Sequence, residues 1–310
     1  MLLAACALCL ALLECAARLY HEPVPDFAAY IRVTDSPHYR ADSELGWLPR
    51  ANAVGKHTLR GSFDATFRTN SRGARSREIG YERTAGLRRI LVLGDSFAWG
   101  HGVEDDETFA SRLERLLPRT EVVNLGVSAY GLPQEIRYFE LEGRRYGPDV
   151  VVLALCSNDV SKPEGTARRP GDVAPASAGD DSEASAGAFL RLKGVLRQRS
   201  AAYGFLIERI NTSETLIGLL VEIGLKGAPP DFEALDSNLS PFLRRHPPEL
   251  AAHWEATRLD LLRLARLVRA EDARLVVALV PALQSVSPRA FSHSIAYSRF
   301  GADDFDLDRF

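Results

Sequence analysis

Three short stretches of this 310-residue chain end in residue types that together could carry out acyl transfer. Ser96 follows the run Ile90-Leu91-Val92-Leu93-Gly94-Asp95, Gly126 closes Glu121-Val122-Val123-Asn124-Leu125-Gly126, and Asn158 stands near the end of the run from Asp149 to Asp159. Acyl transfer needs a nucleophilic hydroxyl, together with hydrogen-bond donors aimed at the oxyanion of the tetrahedral intermediate. The backbone N–H groups of Ser96 and Gly126 and the side-chain amide of Asn158 are three such donors. Glycine lets the backbone approach a substrate closely, and asparagine donates without carrying charge. Taken alone, Asp95-Ser96 reads equally well as a turn and a helix cap. The two later stretches move the balance toward chemistry, with Asp95 structural and not catalytic.

These residues need elements to hold them. Ile90 to Leu93 is too short for a helix, shows no polar alternation and is followed by Gly94, which suits a parallel strand covered on both faces. Beyond the bend Gly100-His101-Gly102, the acids Asp105, Asp106 and Glu107 crowd the start of an amphipathic segment, Thr108 to Leu117, as suits a helix N-terminus. Ser96 is thereby expected at the carboxyl end of a strand and before a helix, where open α/β sheets bind their ligands. Helices over Glu107 to Leu117 and Pro133 to Tyr146 complete two β-α units, and Ala273 to Pro281 reads as a fourth buried strand. Ser128 to Gly131 is placed either to line a cleft or to pack. The expected fold is α/β, a three-layer sandwich around a central, mostly parallel sheet.

In Gly94-Asp95-Ser96-Phe97, Asn124-Leu125-Gly126 and Cys156-Ser157-Asn158-Asp159, the chain resembles the SGNH, or GDSL-type, hydrolase superfamily, in order and at suitable intervals from about Leu87 to Pro281. The resemblance implies a flavodoxin-like fold, with Ser96 as nucleophile and Ser96, Gly126 and Asn158 as the oxyanion hole. It implies ester hydrolysis or O-acyl transfer in a bacterial envelope, an acylated glycan being one candidate substrate, with no cofactor and no metal. Ser157 stands where the third block usually has glycine. Glu44-Leu45-Gly46-Trp47 and Thr69-Asn70-Ser71-Arg72-Gly73 resemble the N-terminal segment of membrane-anchored bacterial members.

The remaining chain sets bounds. A net charge of -3, with no cluster of Lys and Arg, argues against a nucleic-acid partner. Residues 1–20 resemble an export signal or membrane anchor that would associate with a membrane. Yet the apolar run Leu2 to Leu13 is shorter than the ~20 residues of a spanning helix, and no Lys or Arg precedes it. A weak anchor, a start further upstream and a helix buried in the fold stay open. Three of the four cysteines, Cys6, Cys9 and Cys15, lie there, so a disulfide within the folded body is excluded and Cys156 reads as a small core residue. Residues 21–86, with alternating runs such as Ala65 to Thr69, read as a small β-containing appendage to a hydrolase domain spanning 87–310. Ser161 to Gly187 reads as a mobile loop, and Ala188 to Ile210, Ser213 to Leu225 and Pro248 to Ala270 as helices, a loop and helical insertion over about 161–270. Nucleotide binding is disfavoured, because Gly100-His101-Gly102 lacks a third glycine and no Gly-Lys-Ser follows a strand.

A serine nucleophile also needs a base, which the family supplies from an Asp-x-x-His after a further strand. Of the seven histidines only His38 follows an aspartate by three, in Asp35-Ser36-Pro37-His38, ahead of the nucleophile. His101, His253 and His293 lack an evident orienting carboxylate. The expectation is a C-terminally incomplete enzyme of little turnover. A non-catalytic binding or scaffold protein of the same fold is the alternative.

Overall fold

The computed structural model describes residue 9 and residues 12–19, 38–59, 62–161, 200–212, 238–295 and 300–308. It divides into two compact units, Met1–Tyr30 with Val173–Ala228 and Ile31–Asp172 with Pro229–Phe310. The expected 161–270 insertion is thus shared between units, and the expected loop from 162 to 187 and helix from 213 to 225 lie outside the described residues.

The larger unit contains a parallel sheet in the order β6-β5-β7-β8, formed by β5 (Arg88–Gly94), β6 (Thr120–Asn124), β7 (Val150–Cys156) and β8 (Arg274–Val280). The chain leaves β5 to one side for β6 and returns on the other for β7. This is the strand order of a doubly wound sheet, whose crevice opens between β5 and β7. Alternation along β5 builds two cores. Ile90 and Val92 face Ala98, Ala110, Leu113 and Leu117, from α1 (Ser96–Trp99), α2 (Phe109–Leu116) and the residue after it. On the other face Leu91 meets Phe139 of α3 (Leu132–Leu141), so closely that a Cβ on Gly143 would lie 2.8 Å from both side chains. Past α4 (Ser157–Ser161), α5 (Pro248–Ala270) lies along α3 and β8. The three-layer α/β expectation holds.

Two features differ from expectation. The run 273–281 is a strand but not a buried one: among the described residues β8 is the edge of the sheet, with Val276, Val277 and Leu279 each 40% exposed or more. An all-apolar run cannot distinguish a central strand from an edge. The acids before α2 also do other work than expected. Thr108 caps the helix, while Glu104 and Asp105 reach back to the appendage, Asp105 accepting from Arg75 Nε at 3.0 Å and Arg68 N at 3.1 Å and Glu104 from Thr66 N at 3.0 Å.

The appendage consists of two hairpins, β1 (Tyr39–Asp42) with β2 (Gly46–Pro49), and β3 (Val54–Leu59) with β4 (Phe63–Arg68). It is tied tightly to the sheet domain. Gln134 Nε2 donates to Leu45 O at 2.7 Å, Trp47 Nε1 to Ser128 O at 3.2 Å, and the Tyr130 hydroxyl to Trp47 O.

In the smaller unit residues 12–19 are helical, and the Glu14 carboxylate accepts from Ser200 Oγ at 2.7 Å and from Ala201 N at 3.0 Å, at the start of the helix Ala201–Thr212. These bonds, the serine's first, lower its pKa to about 2. They give a reason for an acid in an apolar run. Among the described residues no helix is long and apolar enough to cross a membrane.

Candidate active site

Ser96 opens α1 directly beyond β5, with Asp95 as the N-cap residue. Asp95 Oδ1 accepts from Phe97 N at 2.9 Å, which fixes the turn presenting the serine. Asn158 lies in the first turn of α4, just past β7, and its Nδ2 donates to Asp95 Oδ2 at 3.1 Å. One buried carboxylate therefore joins the end of β5 to the end of β7, across the crevice that the strand order creates. An amide nitrogen has two hydrogens, so Asn158 can give one to Asp95 and direct the other toward substrate.

Gly126 does something else. Its N–H donates to Asn124 Oδ1 at 3.0 Å, while Asn124 Nδ2 donates to Ala98 O at 2.9 Å. A Cβ on Gly126 would fall 2.5 Å from Trp99 N and 2.7 Å from Ala98 C. The glycine is required so that the loop after β6 can lie against the backbone of α1. The Gly126 N–H, expected as an oxyanion donor, is bonded here to Asn124, and the Asp95 carboxylate links the turn of Ser96 to Asn158.

Ser96 is half-buried beside an exposed Phe97, and its Oγ makes no hydrogen bond to a described residue. His101 N donates to Ser96 O at 3.0 Å, but the imidazole turns away and packs on His57, ring centroids 4.1 Å apart, and on Phe63. His253 lies on α5. Burial lowers the pKa of His101, and burial with the neighbouring His101 and Arg75 lowers that of His57 to about 3. Cys156 reads as expected. It is buried with Sγ 3.6 Å from Asp95 Oδ1, and burial, then the adjacent carboxyls, push its thiol far above the usual range.

Three residues of this region escaped sequence reading. Arg75, 2% exposed, donates to Trp99 O at 3.1 Å, Gly100 O at 2.5 Å and Val103 O at 2.7 Å, and so clamps the end of α1 and the bend beyond it. Asp159 Oδ2 accepts from Cys156 N at 2.8 Å and closes the turn that carries Asn158. Glu135 is an acid in the first turn of α3, a position that ordinarily signals only a helix start. The loop before α3 is strained as well: Ala129 sits at φ 65°, held between Ser128 and Tyr130, both bonded to Trp47.

A family model for GDSL-like lipases and acylhydrolases matches residues 92–299, about two thirds of the chain. The chain belongs to that family. Among solved structures it is similar to AlinE4, an SGNH-hydrolase family esterase, at 20% identity over 63% of this chain and 77% of that one, with a TM-score of 0.27. It is also similar to TesA, at 16% identity over 58% of this chain and 99% of that one, with a TM-score of 0.23. No curated protein matches. Ser96 lies within the matched residues, and Asp95 fixes its turn.

Proposed function

We propose that this acylhydrolase uses Ser96 as the nucleophile on an ester, with Ser96 N–H and Asn158 Nδ2 receiving the oxyanion. The observation that carries the reading is the Asp95 bridge, which fixes the Ser96 turn and the Asn158 amide with one carboxylate. Attack of Ser96 Oγ on the ester carbonyl forms the tetrahedral adduct, and a base removes the hydroxyl proton. Collapse expels the alcohol and leaves an acyl-enzyme, which water, or an acceptor hydroxyl in a transferase, resolves. An acylated envelope glycan as the ester, and attachment to a membrane through the N-terminal segment, belong to the same proposal and rest on the sequence resemblance. Asp95, buried and hydrogen-bonded on both oxygens, orients and does not take the proton.

The test is covalent labelling by a fluorophosphonate. Ser96→Ala is expected to abolish labelling with the fold retained, and labelling that persists removes Ser96 from the role. Asn158→Ala should slow the reaction by roughly a hundredfold, the scale for loss of one oxyanion donor. One observation favours a second reading, a binding protein of this fold: among the described residues no imidazole reaches Ser96 Oγ. Absence of labelling in the wild-type chain, with tight binding of an acylated glycan, would establish it.

A further inference from the structure

Glu135 is 1% exposed, and among the described residues neither of its carboxyl oxygens has a hydrogen-bond partner. An ionised carboxylate held that way, with no donor and no cation, is among the least favourable groups a protein can bury. Its electrostatic neighbours are Asp159 and Asp95, each also 1% exposed. Several cations of the surrounding elements are engaged with other acids: on α3 itself Arg137 pairs with Glu44 and Glu140, on α5 Arg263 pairs with Glu140 at 2.9 Å and faces Asp260, and in the turn after α3 Arg145 pairs with Glu142 at 3.0 Å. From β7 and α4 the facing groups are the Cys156 thiol and Asp159.

The three carboxyls are not equivalent. Burial raises the pKa of Asp95 as well, yet Asp95 accepts from Phe97 N and Asn158 Nδ2, and Asp159 accepts from Cys156 N, bonds that favour a charged oxygen. Glu135 accepts nothing. We propose that Glu135 is a positioning residue whose uncharged carboxyl leaves the negative charge of this cluster with Asp95, the acceptor that orients the Asn158 amide and caps α1. The proposal rests on the hydrolase reading for its purpose, but not for its protonation state. Burial and then Asp159 and Asp95 push Glu135 well above the usual carboxylate range, and burial and Asp95 push Asp159 up to about 8. As pH rises the pair ionises, repulsion among unpaired buried charges opens the α4 turn, and the Asn158 amide leaves its place.

Two measurements on the full chain test this without turnover. The infrared difference between wild type and Glu135→Gln at neutral pH should show a protonated-carboxyl carbonyl band present in the wild type and missing from the variant; a carboxylate band in its place overturns the proposal. In asparagine-labelled protein, the Asn158 side-chain resonance, assigned by its loss in Asn158→Ala, should shift through a broad alkaline transition whose midpoint Glu135→Gln lowers, because interacting carboxyls titrate as a pair and the variant leaves Asp159 to titrate without its like-charged partner. An unchanged midpoint overturns it, since a packing role alone would not move with pH. Should Glu135→Gln fail to fold, Glu135→Met offers an uncharged side chain of similar length, and failure of both to fold also overturns the claim. Failure of the hydrolase reading would instead appear as unlabelled Ser96 with both spectroscopic results intact.

Discussion

The two edges of the central sheet are handled in opposite ways. At the β6 edge Glu121, Val122, Val123 and Asn124 are all buried, and the neighbouring β5 carries a buried arginine, Arg89, at its second position. Arg89 donates to Glu121 Oε2 at 2.7 Å and to the carbonyls of Tyr81, Glu82 and Tyr146, so its charge and its donors are satisfied inside the fold. At the β8 edge apolar side chains stand partly exposed over the same sheet. Ser96, the proposed nucleophile, follows β5, next to the buried edge. There the appendage adds the Arg75 clamp and an aromatic box in which His57 stacks on Phe67 at 4.5 Å and leans on His101. Rigidity is concentrated where Ser96 must be held.

Arg89→Ala should break this contrast most severely. It leaves Glu121 buried with only the more distant Arg77, at 3.6 Å, and should destabilise by about 3–5 kcal/mol, measured by denaturant unfolding. A loss below about 1 kcal/mol would show that the buried edge does not depend on the pair. Next in size, Leu93→Ala near the carboxyl end of β5 should remove about 2–5 kcal/mol, the range for a fully buried leucine.

The aromatic box sharpens the comparison through pH. His57 has a folded pKa of about 3, below its unfolded value, so the stability it contributes is fully present above the unfolded pKa and is lost as pH falls toward the folded one. Between about pH 6.5 and pH 3 the slope approaches 1.4 kcal/mol per pH unit for such a group. The buried carboxyls Glu135 and Asp159 act in the opposite sense, losing stability as pH rises, so the informative quantity is the difference between wild type and His57→Phe. The variant should unfold with a shallower acid slope, by about one proton. Equal slopes would mean that His57 titrates normally. Smallest of all, Val277→Thr on β8 should change stability by no more than about 0.5 kcal/mol, and hydrogen exchange should run faster in β8 than in β5.

Much of the scaffold was legible in the chain. Apolar runs too short for helices, each ending in turn or polar residues, gave the four sheet strands, and Pro248 to Ala270 matched its helix to the residue. The site was legible in part. Ser96 and Asn158 showed because strand ends carrying polar residues are unusual. The packing of Gly126 against α1 was not legible, because a glycine that lets a ligand approach and a glycine that lets a helix approach look alike in sequence. Arg75 could not be read at all: in Arg72-Gly73-Ala74-Arg75 it is one basic residue in a turn-rich stretch, and its role depends on where the bend after α1 passes.

By itself the sequence determined the period and length of each element, and with them the α/β class and the placing of a serine and an asparagine after two strands, because burial on both faces of a sheet imposes its pattern on consecutive residues. Only the tertiary structure decided which strand became an edge, whether the Gly126 N–H was already taken, and that Asp95, Glu135 and Asp159 would lie together without a cation. Those outcomes depend on distances between residues far apart in the chain, and a buried carboxyl acquires its unusual proton affinity from that surrounding space and not from its neighbours in sequence.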